Sequence, residues 1–273
     1  MEIAWLQFNT FEFSAMLPVA VPALLMMLSL GAALGFVGGL FGIGGGIIVI
    51  PLLVLVFGFD PAVAQGTALV TMVPNLLIAW FRYHQRHPVA LKTALQIGVH
   101  ACVTTWLVAH LATRLAPALM QGVFSLFLLA VALRMLTQRP ASESAPPKKP
   151  RDLRWMPLVG ILGGGSMGLL GIGGGLLATP IFSGWFHQRQ TVAQSLSLAL
   201  VAPSSIIALM AYSGAHKVDW GFGLPLALGG LLTVSAGVAA AHRLPEKRMK
   251  AAFGGMIFCT AVWMLAKPFL MRA

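Results

Sequence analysis

Two stretches of this chain join residue types that break a helix with residue types that bind anions. The first is Gly42-Ile43-Gly44-Gly45-Gly46, followed five residues later by Pro51. The second is Gly171-Ile172-Gly173-Gly174-Gly175, followed by Pro180 at the same spacing. Each glycine inside a helix costs about 1 kcal/mol relative to alanine, so three in a row end it. The helix that restarts after the break has backbone N–H groups without partners and the positive end of its dipole at the break. Such an end attracts a small anion. Inside a membrane it is tolerated only where it is buried in protein or lines a wet cavity. Gly42, Gly44, Gly45, Gly46, Gly171, Gly173, Gly174 and Gly175 are therefore candidate substrate-binding positions. The alternative is close helix packing through small residues.

A second polar block follows each break. Ala64-Gln65-Gly66-Thr67 is matched by Ala193-Gln194-Ser195-Leu196-Ser197. A glutamine in an apolar run must face protein or water, and its amide supplies two N–H donors. Gln65, Thr67, Gln194, Ser195 and Ser197 could together replace the hydration shell of an oxyanion without any fixed charge. An interhelical hydrogen bond or a helix cap accounts for the same residues equally simply. Pro74-Asn75 and Pro203-Ser204 come next on the same segments, as a gating hinge or a packing kink. His100, in the middle of its apolar run, is a candidate proton carrier, but the repeat has Gly229 in its place. No Asp, Glu, Lys or Arg sits at mid-span, which argues against a carboxylate-based ion pump. Nucleotide-binding, hydrolase-elbow and zinc-protease motifs are absent from the sequence. Cys102 and Cys259 have no metal-like spacing. The expectation is a protein that is not an enzyme and uses no cofactor, metal or disulfide.

The elements that must position these residues are membrane helices. The 273-residue chain is 58% apolar and only 9% charged, against about 25% charged in a soluble domain. Apolar runs fall at about 16–40, 44–57, 61–81, 91–111 and 117–136, then at 155–170, 174–186, 190–212, 221–241 and 248–266. Residues 137–154, with Pro146, Pro147, Lys148, Lys149, Pro150 and Arg151, form a polar linker. The glycine motifs are one match of a longer repeat. An ungapped offset of 129 residues maps Gly31–Leu136 onto Gly160–Leu265, pairing Gln65 with Gln194, Pro74 with Pro203 and Tyr83 with Tyr212. The first residues, with Glu2 and Glu12 and no Lys or Arg, do not read as a signal peptide.

Five segments per half make the second half inverted with respect to the first, and charge tests this. With the N-terminus outside, only Arg114, Lys217, Lys267 and Arg272 of the 18 Lys and Arg lie outside. The other fourteen lie inside, a strong positive-inside bias. The net charge of +11 is then a matter of topology and not of nucleic-acid binding. From Trp155 to Trp185 there is too little chain for two crossings of a core about 30 Å thick, so the glycine motifs belong to half-helices or re-entrant hairpins. The expected fold is an all-α membrane protein of two inverted repeats of about five helical segments each, with broken or re-entrant helices at the glycine motifs. Its parts are a first repeat over 1–136, a cytoplasmic linker over 137–154 and a second repeat over 155–273.

The doubled glycine block and the small polar block after it resemble the TauE/SafE sulfite exporter family. The resemblance rests on Gly35-Phe36-Val37-Gly38-Gly39-Leu40-Phe41-Gly42-Ile43-Gly44-Gly45-Gly46 and on Gly168-Leu169-Leu170-Gly171-Ile172-Gly173-Gly174-Gly175. The family's Gly-Thr-Ser pattern is kept in part as Gly66-Thr67-Ala68 and more loosely as Ser195-Leu196-Ser197. The resemblance implies a multi-pass inner-membrane transporter, usually an exporter, of sulfite, sulfonates or related sulfur anions. The residues themselves point to a small anion at an uncharged, N–H-rich site, and do not reach sulfur. The expected function is secondary transport by alternating access, with periplasmic termini and a lipid-embedded body. An uncoupled anion pore and a non-transporting membrane accessory protein are the alternatives. Oligomeric state is open.

Overall fold

The computed structural model describes residues 10–41, 46–86, 88–137, 155–172, 175–186, 188 and 190–241, with 255, 258, 262 and 263. Among them are nine helices and no strand. These are α1 (Thr10–Phe41), α2 (Gly46–Leu55), α3 (Pro61–Arg86), α4 (Leu91–Ala112), α5 (Pro117–Thr137), α6 (Met156–Leu170), α7 (Gly175–Gly184), α8 (Gln190–Gly214) and α9 (Trp220–Ala241). The expected apolar segments match them in order. Of the tenth segment, only Gly255, Phe258, Val262 and Trp263 are described, all helical. The linker at 138–154 lies outside the described residues, as do Gly42, Gly44, Gly45, Gly173 and Gly174.

Length separates the helices into two kinds. Val21–Leu40, Pro61–Gln85, Lys92–Ala112, Val192–Gly214 and Trp220–Ala240 are long and apolar enough to cross a membrane. The helices after the two glycine motifs, α2 and α7, have ten residues each. At 1.5 Å per residue each is about 15 Å long, half the hydrocarbon core. Helix α6 ends at Gly171, which adopts the left-handed conformation with φ +61°. That conformation is easy for glycine and strained for other residues. Pro74 and Pro203 lie inside α3 and α8 without ending either helix.

The packing follows the 129-residue offset. On α1, Gly31, Gly35 and Gly39 let the backbone of α9 approach at Leu226, Gly230 and Val234. On α6, Gly160, Gly164 and Gly168 let α4 approach at Ile97, Ala101 and Thr105. Each of these six partners is 129 residues from its counterpart. A methyl group on Gly35 or Gly164 would collide with the opposing backbone. Lipid tails are as apolar as leucine, so close backbone contact through small residues holds such helices together. Interhelical hydrogen bonds reinforce the same seams: Thr233 donates to the Ala32 carbonyl and Thr105 to that of Gly164, at 2.9 Å in the second case.

The central helices α3 and α8 are the most enclosed of the long ones, whereas α4 turns an apolar face outward. Leu95, Val99, Val103, Trp106, Leu107 and Leu111 are all exposed on it, as a lipid-facing helix requires. Polar side chains are gathered inside instead. Gln65, Thr67, Thr71, Asn75, Ser195, Ser197, Ser204 and Ser205 are buried on α3 and α8. Every buried polar residue among those described is uncharged.

Candidate functional site

Helix α3 starts sharply, and that start places Gln65. Asp60 precedes the helix and its carboxylate accepts the Ala62 N–H at 3.0 Å, with Pro61 at the first helical position. This is an N-cap followed by proline, the favoured order at a helix start. Asp219 does the same for α9, accepting the Phe222 N–H at 2.9 Å. The loop before α9 is also fastened to α3. The Asp219 N–H donates to Thr67 Oγ1 at 3.0 Å, and a side chain at Gly66 would collide with the Lys217 backbone. Gly66 and Thr67, expected in the polar block, thus dock this loop.

Gln65, one turn into α3, is fully buried. Its Oε1 accepts the hydroxyl of Tyr212 at 2.7 Å, and that hydroxyl also lies 3.2 Å from the Gly168 carbonyl oxygen on α6. Its Nε2 is buried without a hydrogen-bond partner among the described residues. Leaving such a donor unmet costs about 1–3 kcal/mol. Gly171 packs directly on the glutamine. A β-carbon there would be 3.1 Å from Gln65 Cβ. The same glycine meets the other repeat's motif, because a β-carbon on Gly46 would be 3.4 Å from the Gly171 carbonyl oxygen.

The described parts of the two glycine motifs therefore come together, with Gln65 of the first repeat against the break of the second. That break lies beside the second turn of α3, within the length of a helix that itself can cross a membrane. A second contact, within the second repeat, joins Gly175 and Ser197. A β-carbon on Gly175 would be 3.2 Å from Ser197 Oγ, and this hydroxyl is buried without a partner among the described residues. Ser195 is fully buried on the same helix, and Gln194 is half-buried. Farther along α3, Thr71 Oγ1 and Asn75 Oδ1 are likewise buried and unpartnered among the described residues.

Other expectations fall elsewhere. His100 is exposed on the outer face of α4, with Nδ1 2.6 Å from the Gln96 carbonyl oxygen of its own helix. It does not reach the buried polar residues. Ser204 and Ser205 donate to the carbonyls of Val201 and Ala202, three residues back. A cleft of about 530 Å³ between the C-terminal ends of α4 and α8 is lined by Trp106, His110, Arg114 and Met210 among others, and includes neither Gln65 nor the glycines. No group of His, Cys, Asp and Glu able to hold a metal occurs among the described residues. Tyr212 was not expected at the site. The available signal was its scarcity: the chain has two tyrosines, Tyr83 and Tyr212, at equivalent repeat positions.

The family model described as Sulfite exporter TauE/SafE matches residues 16–264. A probable membrane transporter protein of Methanocaldococcus jannaschii is 29% identical over 213 residues, covering 76% of each chain. One from Xylella fastidiosa is 25% identical over 254 residues, covering 90% of this chain and 97% of its own. A sulfite exporter TauE/SafE family protein of Arabidopsis thaliana is 35% identical over 112 residues, 40% of this chain and 23% of the plant protein. No solved structure matches.

Proposed function

The chain belongs to the TauE/SafE sulfite exporter family, and from that premise we propose that it is a secondary transporter exporting a small sulfur oxyanion, sulfite or an organosulfonate. The observation that carries this reading is Gln65, whose side-chain carbons pack on the glycine break of the other repeat and whose amide nitrogen is a buried donor without a partner among the described residues. The binding centre consists of the two breaks, Gly42–Gly46 and Gly171–Gly175, with Gln65 on one side and Ser197 on the other. Gln194 and Ser195 complete the second half, and Thr67 fastens the wall of the first. Such a site offers N–H and O–H donors and no positive charge. It strips water from a divalent or monovalent oxyanion at moderate affinity, so the ion can also leave.

The two halves form inverted repeats in the inner membrane, with periplasmic termini and a cytoplasmic linker. Three features support this. The seams α1–α9 and α4–α6 exchange under the offset. The start of α3 lies against the end of α8, through Gln65 and Tyr212, so the two equivalent helices run in opposite directions. Fourteen basic residues against four give the side. Alternating access then rocks one repeat against the other about the breaks, opening the centre to each side in turn.

Purified protein in liposomes tests the function. Sulfite loaded on one side should leave with saturable kinetics and should exchange against sulfite on the other side. Folded protein that moves neither sulfite nor simple sulfonates under any gradient would sink the proposal. Flux without counter-transport would leave only an uncoupled pore.

A further inference from the structure

A carboxamide is two-faced. Its oxygen repels an anion and its nitrogen binds one, and rotation by half a turn exchanges them with little change of shape. Which end of Gln65 is left free therefore decides whether the centre attracts its substrate. The structure assigns that choice to Tyr212, as a positioning residue that engages the Gln65 oxygen and leaves its amide nitrogen free for the anion. This inference rests on the proposed anion centre and adds to it a residue that touches no substrate.

The geometry is specific. The Tyr212 hydroxyl has one proton. It lies 2.7 Å from Gln65 Oε1, a good O–H···O distance, and 3.2 Å from the Gly168 carbonyl oxygen, a poorer one. The proton thus goes to the glutamine, and Oε1 is engaged by the phenol. Nε2 is left without a partner among the described residues. Both side chains are fully buried, so water does not compete for either group. Tyr212 sits near the end of α8, one of the second repeat's helices, while Gln65 begins α3 of the first. The bond thus ties the donor's direction to the mutual position of the two repeats. Gly171, packed on the Gln65 side chain, keeps the amide from swinging aside.

Without the hydroxyl, Oε1 has no donor behind it. A buried carbonyl in that state gains by turning over toward the donors that would otherwise meet the anion, and it then occupies the anion's place. Tyr212→Phe should therefore raise the KM for sulfite about tenfold and leave Vmax within about twofold. In a Gln65→Ala background the same change should do nothing further, since there is no amide left to orient. An unchanged KM in Tyr212→Phe, an equal rise in the Gln65→Ala background, or a loss confined to Vmax and melting temperature would overturn the inference. If Gln65→Ala itself transports sulfite like the wild type, the anion centre fails and not the positioning alone.

A measurement without substrate decides the orientation independently. In protein labelled with ¹⁵N-glutamine, the Gln65 side-chain amide is identified by its absence from Gln65→Ala. Its protons should lack the downfield shift of a bonded amide. A downfield proton that Tyr212→Phe abolishes would mean that the nitrogen donates to the phenol, the opposite sense, and would refute the assignment.

Discussion

Helices α3 and α8 hold equivalent places under the 129-residue offset, but they treat their polar groups differently. On α3 the buried Gln65 Nε2, Thr71 Oγ1 and Asn75 Oδ1 have no partners among the described residues. On α8 the hydroxyls of Ser204 and Ser205 are bonded within their own helix, and Ser197 Oγ is without a partner among the described residues. The two glutamines, identical in type and repeat position, differ as well. Gln65 is fully buried beside Gly171, whereas Gln194 is half-buried. The offset thus reproduces the frame, seam by seam, while the unpartnered polar groups among the described residues are concentrated on the first repeat's helix.

The largest test of that difference is Gln65→Ala against Gln194→Ala. Removing hydrogen bonds to a charged ligand costs about 1.5–3 kcal/mol. Gln65→Ala should therefore raise the KM for sulfite roughly 10- to 100-fold, at about 1.4 kcal/mol per tenfold. Gln194→Ala should raise it several-fold less. Equal effects in the flux assay would mean that the two repeats share the ion evenly and that the difference in burial has no bearing on binding.

Gly171→Ala comes next. Left-handed backbone costs a residue with a β-carbon about 1–2 kcal/mol, and the added carbon would press on Gln65 Cβ. The variant should lose about that much stability in detergent and should also lose sulfite affinity, because the amide is pushed off line. A variant that melts early but binds sulfite normally would separate the break from the glutamine.

Much of this frame was legible in the sequence. Apolar runs bounded by charge and proline marked α1–α9, since the bilayer dictates both length and composition. The half-length of α7 was legible in the short chain between Trp155 and Trp185. The partners were not legible. Thirty glycines are scattered along the chain, and nothing in their spacing says that Gly35 meets Gly230 and not another helix. Tyr212 was missed because it meets Gln65 from a helix 147 residues away, in an apolar run where one phenol looks like core. The outward turn of His100 was not legible either, since mid-span position alone does not say which face of α4 carries it.

The seams offer a test in which the repeats should behave alike. Gly35→Ala and Gly164→Ala each place a methyl against opposing backbone, which cannot yield as a flexible side chain does. Overpacking of this kind costs about 1–3 kcal/mol. Both variants should lower the melting temperature by similar amounts, whichever repeat carries the change. A large inequality would show that the matched contacts of α1–α9 and α4–α6 do not carry matched loads.

The smallest expected effect returns to α3 and α8. Asn75 and Ser204 are equivalent in the repeat and follow equivalent prolines. The Ser204 hydroxyl donates to the Val201 carbonyl of its own helix, so Ser204→Ala removes a donor whose acceptor is already part of the helix ladder. Its stability and flux should stay within about 0.5 kcal/mol of the wild type. Asn75 is buried against Gly230, with its Oδ1 unpartnered among the described residues. Asn75→Ala deletes an unmet group, so folding gains back part of what the cavity costs. If α3 lines the ion's path below Gln65, flux should still fall, by about threefold, or less than 1 kcal/mol on the scale of about 1.4 kcal/mol per tenfold. Transport that falls without a drop in melting temperature places Asn75 on that path. A fall in melting temperature with unchanged flux makes it a packing residue, and limits the polar lining of α3 to its first turns.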